Sequence, residues 1–151
     1  MRCSSKSVIV AVIALSGAAI MFAKKDESID QLKARVASAN PEQRVGLCVE
    51  IAGRQLDAAE KFYAADKNEE GRTAIGDVVA YSEKATEAAT QSGKKLKRAE
   101  IEVRKMAHKL RDLKGTIAYE DQAPVQEAID RLEKLRTELL TKMFGAGKKS
   151  P

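Results

Sequence analysis

The chain has 151 residues, with 27 Lys and Arg against 22 Asp and Glu, a formal net charge of +5, two cysteines and aromatic residues at only 4%. That length suits one small domain rather than two, and Cys48 is the only cysteine beyond the N-terminal segment, which excludes a disulfide-built scaffold. Ala, Leu, Glu, Lys and Arg dominate, the profile of helices with narrow apolar seams, and no alternating strand pattern is present.

The first element in chain order is an address. Arg2 and Lys6 precede an uncharged apolar run from Ser7 to Ala23, and Lys24-Lys25 open a strongly charged remainder. A basic n-region, an apolar h-region and small residues at Ser16, Gly17, Ala18, Ala19 and Ala23 are what the secretion machinery reads. Residues 1–23 are therefore expected to be a signal peptide, and residues 24–145 a helical domain. The apolar run is at the short edge of the roughly 17 to 25 residues that cross a bilayer, which favours cleavage and leaves an uncleaved anchor in the inner membrane as the alternative. Cys3 precedes the apolar run, so it is not the lipidated cysteine of a lipoprotein. The expected location is periplasmic or secreted.

Ser28, followed three residues later by Gln31, forms a capping-box pattern, and Ile29, Leu32 and Val36 make one short apolar stripe. Asn40-Pro41-Glu42 stops this first helix and starts the next, because Asn accepts from free N–H groups and Pro at the first helical position lacks the N–H that would be orphaned. The second helix is expected to run to about Ala65. Its seam is Val45, Cys48, Ala52, Ala59 and Phe62, widened by Leu47, Ile51, Leu56 and Tyr63. Asp66-Lys67-Asn68 is a tight turn, with Asn68 expected as the cap and Glu69-Glu70 at the positive end of the following helix.

From there the register is regular. Leu96, Ala99, Val103, Met106, Leu110, Leu113 and Ile117 are spaced alternately by three and four, and the same phase traced backwards meets Ser92, Ala89, Ala85, Ser82, Val78 and Ile75. Gly93 does not shift that phase, and an interior Gly costs only about 1 kcal/mol relative to Ala. The expectation is one long helix from about Glu69 to Ala118, bent at Gly93, with Gly93→Ala neutral or stabilising. A final helix follows Asp121, with Val125, Ala128, Leu132, Leu135 and Leu139 as its seam, Met143 and Phe144 at its end and Gly145 as its stop. Residues 146–151 are expected to be a disordered tail.

The fold class is thus all-α: an antiparallel helical bundle or extended helical hairpins built on one long central helix. At 1.5 Å rise per residue the second and last helices can lie end to end along the long one, and a compact bundle folded at Gly93 uses the same pairings. Asp57/Lys61, Glu100/Arg104, Glu127/Arg131, Asp130/Lys134 and Glu138/Lys142 are i,i+4 pairs on exposed faces, each worth about 0.2 to 0.5 kcal/mol.

Little chemistry is legible. His108, the only histidine, falls on the outer face of its helix without a positioned partner. Cys48 lies on an apolar stripe, where a free cysteine behaves as a small buried hydrophobe. No metal-ligand spacing, haem motif or phosphate-binding glycine loop is present, so no catalytic residue, cofactor or metal is expected. Gly46, Gly53, Gly71 and Gly76 are isolated within helical patterns, which suits close helix contact.

One charge pattern stands out. Between Lys94 and Lys114 nine basic residues meet three acidic ones, and Lys97, Arg98, Arg104, Lys105 and Arg111 share one outward stripe of the heptad. This is the surface nominated for an anionic partner: an anionic envelope polymer, lipid headgroups or an acidic envelope protein. A solvated helix face is the plainer reading of the same residues. Nucleic acid is disfavoured by the export signal and by the lack of aromatic stacking residues along the stripe.

Two resemblances follow. The segment from Leu47 to Ala85, with its Asp66-Lys67-Asn68 turn, Ala74 and Tyr81, resembles a single tetratricopeptide-type hairpin, without the Trp, Leu-Gly and terminal Pro of that repeat. Ala88-Ala89-Thr90-Gln91-Ser92-Gly93-Lys94-Lys95-Leu96-Lys97, Val103-Arg104-Lys105-Met106-Ala107, Lys109-Leu110-Arg111-Asp112 and Glu120-Asp121-Gln122-Ala123-Pro124-Val125 are similar to a family of uncharacterised exported helical proteins of Acidobacteria. That resemblance implies a bacterial envelope setting and carries no functional residues with it. The expectation is a non-enzymatic interaction or scaffold module of the cell envelope, with a periplasmic stress or chaperone-like binder as the alternative.

Overall fold

Five α-helices, α1 (Ile29–Ser38), α2 (Pro41–Ala64), α3 (Asn68–Ser92), α4 (Leu96–Lys114) and α5 (Gln122–Phe144), with a 3-10 turn at Tyr119–Asp121, make up the computed structural model, which describes residues 27–145. No strand occurs among the described residues, and the protein is all-α. The signal segment 1–23 and the tail 146–151 lie outside the described residues.

The caps of the first two helices form as their residue types dictate. Ser28 Oγ accepts from the Gln31 N–H at 3.2 Å while Gln31 Oε1 accepts from the Ser28 N–H at 2.9 Å, a reciprocal capping box. Asn40 Oδ1 accepts from the Gln43 N–H at 2.9 Å, with Pro41 at the first helical position. At the start of α3, however, Lys67 is the capping residue, and Asn68, expected as the cap, is already helical. Its amide turns instead to Asp121, 2.7 Å away.

Helices α2 and α3 form one antiparallel hairpin and α4 and α5 a second. The two hairpins stack so that α2 runs alongside α4 in the same direction, as Lys94 with Glu42 and Lys109 with Asp57 show, and α3 runs alongside α5, as Glu83 with Arg131 shows. Between them lies the main core, in which Val45, Leu56, Val78, Val103, Leu110, Val125, Leu132 and Leu139 are almost fully buried. A second cluster is closed by α1, where Leu32 and Val36 cover Leu47, Cys48, Ile51 and Ala85. Burying each such aliphatic side chain contributes about 1.5 to 3 kcal/mol before the entropy of ordering it is counted.

The single long helix of the sequence reading is replaced by two. Gly93 takes a left-handed φ of 65° after Ser92, and Lys95 a φ of 59°, so the chain reverses and α4 folds back beside α2. Consequently α2 and α5 do not lie end to end along a central rod. The heptad phase nevertheless holds on both sides of the turn: Ile75, Val78, Ser82, Ala85 and Ala89 are buried on α3, and Ala99, Val103, Met106, Leu110 and Leu113 on α4. A seven-residue step from Ala89 to Leu96 keeps an apolar residue on the core side whether the chain runs on or turns back.

The ion pairs are mostly between helices. Of the five i,i+4 pairs expected, Glu100/Arg104 forms, at 3.7 Å. Asp57 instead meets Lys109 at 3.1 Å, Arg131 meets Glu83 at 2.5 Å, and Asp130 accepts from Gln126. Partners one hairpin away were invisible to a rule that looks only along one helix.

Candidate functional site

Helix α4 sets one core-facing row and one outward row. With Ala99, Val103, Met106, Ala107, Leu110 and Leu113 turned inward, all five nominated basic residues, Lys97, Arg98, Arg104, Lys105 and Arg111, are exposed. Their surroundings differ. Lys105 pairs with Glu102 at 3.0 Å and Arg111 with Glu133 of α5 at 2.6 Å. Arg104 lies 3.7 Å from Glu100, whose carboxylate is almost buried and is held at 2.9 Å by Arg136; Arg136 in turn lies 3.6 Å from Glu133. Arg104, Glu100, Arg136, Glu133 and Arg111 therefore form one chain of alternating charge across the α4–α5 seam, and its hydrogen bond to Glu100 holds the Arg136 guanidinium further toward its charged form.

Lys97 and Arg98 make no ion pair among the described residues. They stand in the first turn of α4, which contains no acidic residue and has no side-chain cap. Cations at the positive end of a helix are unfavourable, so positive potential accumulates there. The Arg98 guanidinium lies over Gly46 of α2, 3.8 Å from where a Cβ would stand, an ordinary contact distance, and with Arg35, Ser38, Gln43 and Glu50 it lines a shallow recess of about 370 Å³. The exposed positive charge is thus concentrated at the end of α4 nearest the α1–α2 corner, whereas further along the stripe carboxylates partly neutralise it.

His108 is exposed on the same helix, its Nδ1 3.1 Å from Asp112. Cys48 is fully buried against α1, and burial pushes its thiol up to about 11. The two residues are therefore on opposite terms with solvent and do not form a reactive pair. Among the described residues no group of three His, Cys, Asp or Glu side chains is placed to hold a metal ion, and no helix is long and apolar enough to cross a membrane.

A feature that sequence reading missed lies at the opposite end of α4. The ends of α2 and α4, the start of α3 and residues Thr116–Ala118 enclose a cleft of about 340 Å³, lined on its polar side by Glu60, Tyr63, Asp66, Asn68, Thr116 and Asp121. Asp121 is 1% exposed and accepts from Asn68 Nδ2 at 2.7 Å and from an Arg72 guanidinium nitrogen at 2.6 Å. In the sequence it reads as a helix cap; in the fold its carboxylate ties the second hairpin to the first. Tyr63, which reads as a seam residue, has its ring pressed on Gly71, where an added Cβ would lie 2.8 Å from the ring. Its hydroxyl is buried without a hydrogen-bond partner. Burial, and then the Asp121 charge, hold that hydroxyl above the usual tyrosine range.

In comparisons with protein-family models, curated proteins and solved structures, the chain matches none.

Proposed function

We propose that the chain is an exported, non-enzymatic helical module of the bacterial cell envelope that acts through its surface, with the basic face of α4 meeting an anionic partner, either an envelope polymer or an acidic envelope protein. The observation that carries this reading is the exposure of Lys97, Arg98, Arg104, Lys105 and Arg111 on one face, with Lys97 and Arg98 unpaired among the described residues in a first turn that has no acid. An anionic surface docking there relieves the repulsion between those side chains and the helix dipole. The basic, then apolar, then small-residue order of residues 1–23 supports export. A chaperone-like role calls for exposed apolar helix faces. Among the described residues the exposed large apolar side chains are Tyr119 and Phe144, at opposite ends of α5.

The test is retention of the chain by an immobilised acidic polysaccharide and by vesicles containing anionic lipid, measured as salt is raised. Binding through this face falls steeply with salt, because exposed charges are screened beyond about 8 Å at physiological ionic strength, and it is lost when all five residues are changed to Gln. Equal retention of the two proteins at every salt concentration removes the stripe from the proposal.

A further inference from the structure

Helix α1 stands apart from the other four in its packing. The buried residues of the main core all belong to α2, α3, α4 and α5. Helix α1 closes the second cluster instead: Leu32, at 1% exposure, and Val36, at 9%, cover Leu47, Cys48, Ile51 and Ala85, with the partly buried Ile29 and Tyr81 at its margin. Ten residues are thus held by two buried aliphatic side chains, whereas each of the other helices buries six or more residues. A helix of that length is marginal without tertiary support, since isolated helices shorter than about 12 to 15 residues form poorly in water. The entropy of ordering α1 is therefore set against little burial.

The polar ties of α1 to the bundle are duplicated on the bundle side. Lys33 meets Asp77 of α3 at 2.8 Å, and Asp77 also accepts from Gln55 of α2 at 2.6 Å. Arg54 of α2 donates to the Glu27 carbonyl and also pairs with Glu50 at 2.6 Å. When α1 leaves, Asp77 keeps Gln55 and Arg54 keeps Glu50, while Lys33, already about a third exposed, passes to water. Each of these groups retains a partner, so parting them does not incur the penalty of a stranded polar group.

The start of α2 is secured by its own residues, with Asn40 as the cap and Pro41 in the first turn. Between the two helices lie two extended residues, Ala39 (φ −74°, ψ 142°) and Asn40 (φ −67°, ψ 162°). Arg44 of α2 donates to the Ala39 carbonyl at 2.9 Å, which fixes the C-terminal end of α1 and places the pivot there.

We infer that α1 is a strap: it opens about Ala39 and Asn40 while α2, α3, α4 and α5 stay folded, and in opening it bares the apolar strip of Leu47, Ile51 and Ala85 together with the Cys48 side chain. Opening of this kind is sub-global and takes place well short of unfolding the chain. Cys48 reports it, because its side chain is 0% exposed while α1 is closed.

The experiment is alkylation of the native full chain with excess N-ethylmaleimide, with the label on Cys48 followed by peptide mass spectrometry, which separates it from Cys3. Lifting α1 uncovers little surface, so the rate is expected to be nearly flat at low urea and to take on the steep slope of global unfolding only near the transition. Two variants separate the strap from the bundle. Leu32→Ala weakens the hold of α1 and is expected to speed Cys48 labelling about thirtyfold, the lower end of what a buried Leu→Ala change costs, or to the rate of a free thiol. Ile129→Val weakens the main core and raises the global unfolding equilibrium about two- to tenfold, yet is expected to leave labelling unchanged without urea, because the strap opens with that core intact. Labelling that climbs along the global urea slope from the outset, labelling raised by Ile129→Val as much as global unfolding is, or labelling unmoved by Leu32→Ala each overturns the inference, as does loss of the whole helical signal in Leu32→Ala.

Discussion

Gly93 shows how one dihedral angle decides an architecture. Its φ of 65° is open to glycine at no cost, while an L-residue there meets a clash between Cβ and the backbone worth about 1 to 2 kcal/mol. Nothing lies within 4 Å of the position a Cβ would take, so the penalty is purely conformational. Gly93→Ala is therefore expected to lower stability by about 1 to 2 kcal/mol in chemical denaturation, the reverse of what a continuous helix requires. Cys48 offers a second test at this scale. Its thiol titrates at about 11 in the fold because burial disfavours the thiolate, against about 8.5 in an unfolded chain. The raised value means that its contribution to stability is complete below the unfolded pKa and is lost as pH rises through about 11. Comparing the wild type with Cys48→Ala from pH 8 to pH 11, the wild-type curve is expected to fall more steeply; parallel curves contradict the buried thiol.

At the scale of elements, the seams were legible and the turns between them only in part. Apolar spacing located Ala99, Val103, Met106, Leu110 and Leu113 on α4 but missed the buried Glu100 and Ala107, and it located most of the buried positions on α2, α3 and α5, because a side chain's distance from the core is a local consequence of helical periodicity. Direction is not local. The step across Gly93 preserves the phase for a straight helix and for a reversal alike, so periodicity alone was blind to the break. Tertiary charge was equally hidden: Asp121 looked like a cap, and its partners Asn68 and Arg72 lie 53 and 49 residues away. The outward basic row was readable, being the complement of the seam, whereas the cleft joins residues of four segments. Two expectations follow for the α4–α5 interface. Leu110 is fully buried, so Leu110→Ala is expected to cost about 2 to 5 kcal/mol. Glu100→Gln removes the carboxylate that holds Arg136 and is expected to cost about 1 to 2 kcal/mol, less than a fully buried pair because Arg136 remains about a third exposed. In a double-mutant cycle with Arg136→Gln the two losses are non-additive; strict additivity removes the pair from the account.

For the whole molecule, the packing and the proposed contacts occupy different surfaces. Apolar residues of all five helices are spent on the two core clusters, and the basic row runs along the outer face of α4, with Lys97 and Arg98, unpaired among the described residues, at the end remote from the acidic cleft. Removing the basic row leaves the apolar seams intact and takes away three partly exposed ion pairs, Arg111–Glu133, Arg104–Glu100 and Lys105–Glu102, a small loss that still lets folding and binding be read separately. The most direct measurement is affinity capture from bacterial envelope fractions by the wild-type chain and by the variant with Lys97, Arg98, Arg104, Lys105 and Arg111 all changed to Gln, with circular dichroism and thermal melting of both proteins alongside. The account predicts equal helical content, a melting temperature shifted by no more than a few degrees, and loss of the anionic material that the wild type releases in high salt. Capture of the same material by both proteins, with the same salt dependence, would contradict it.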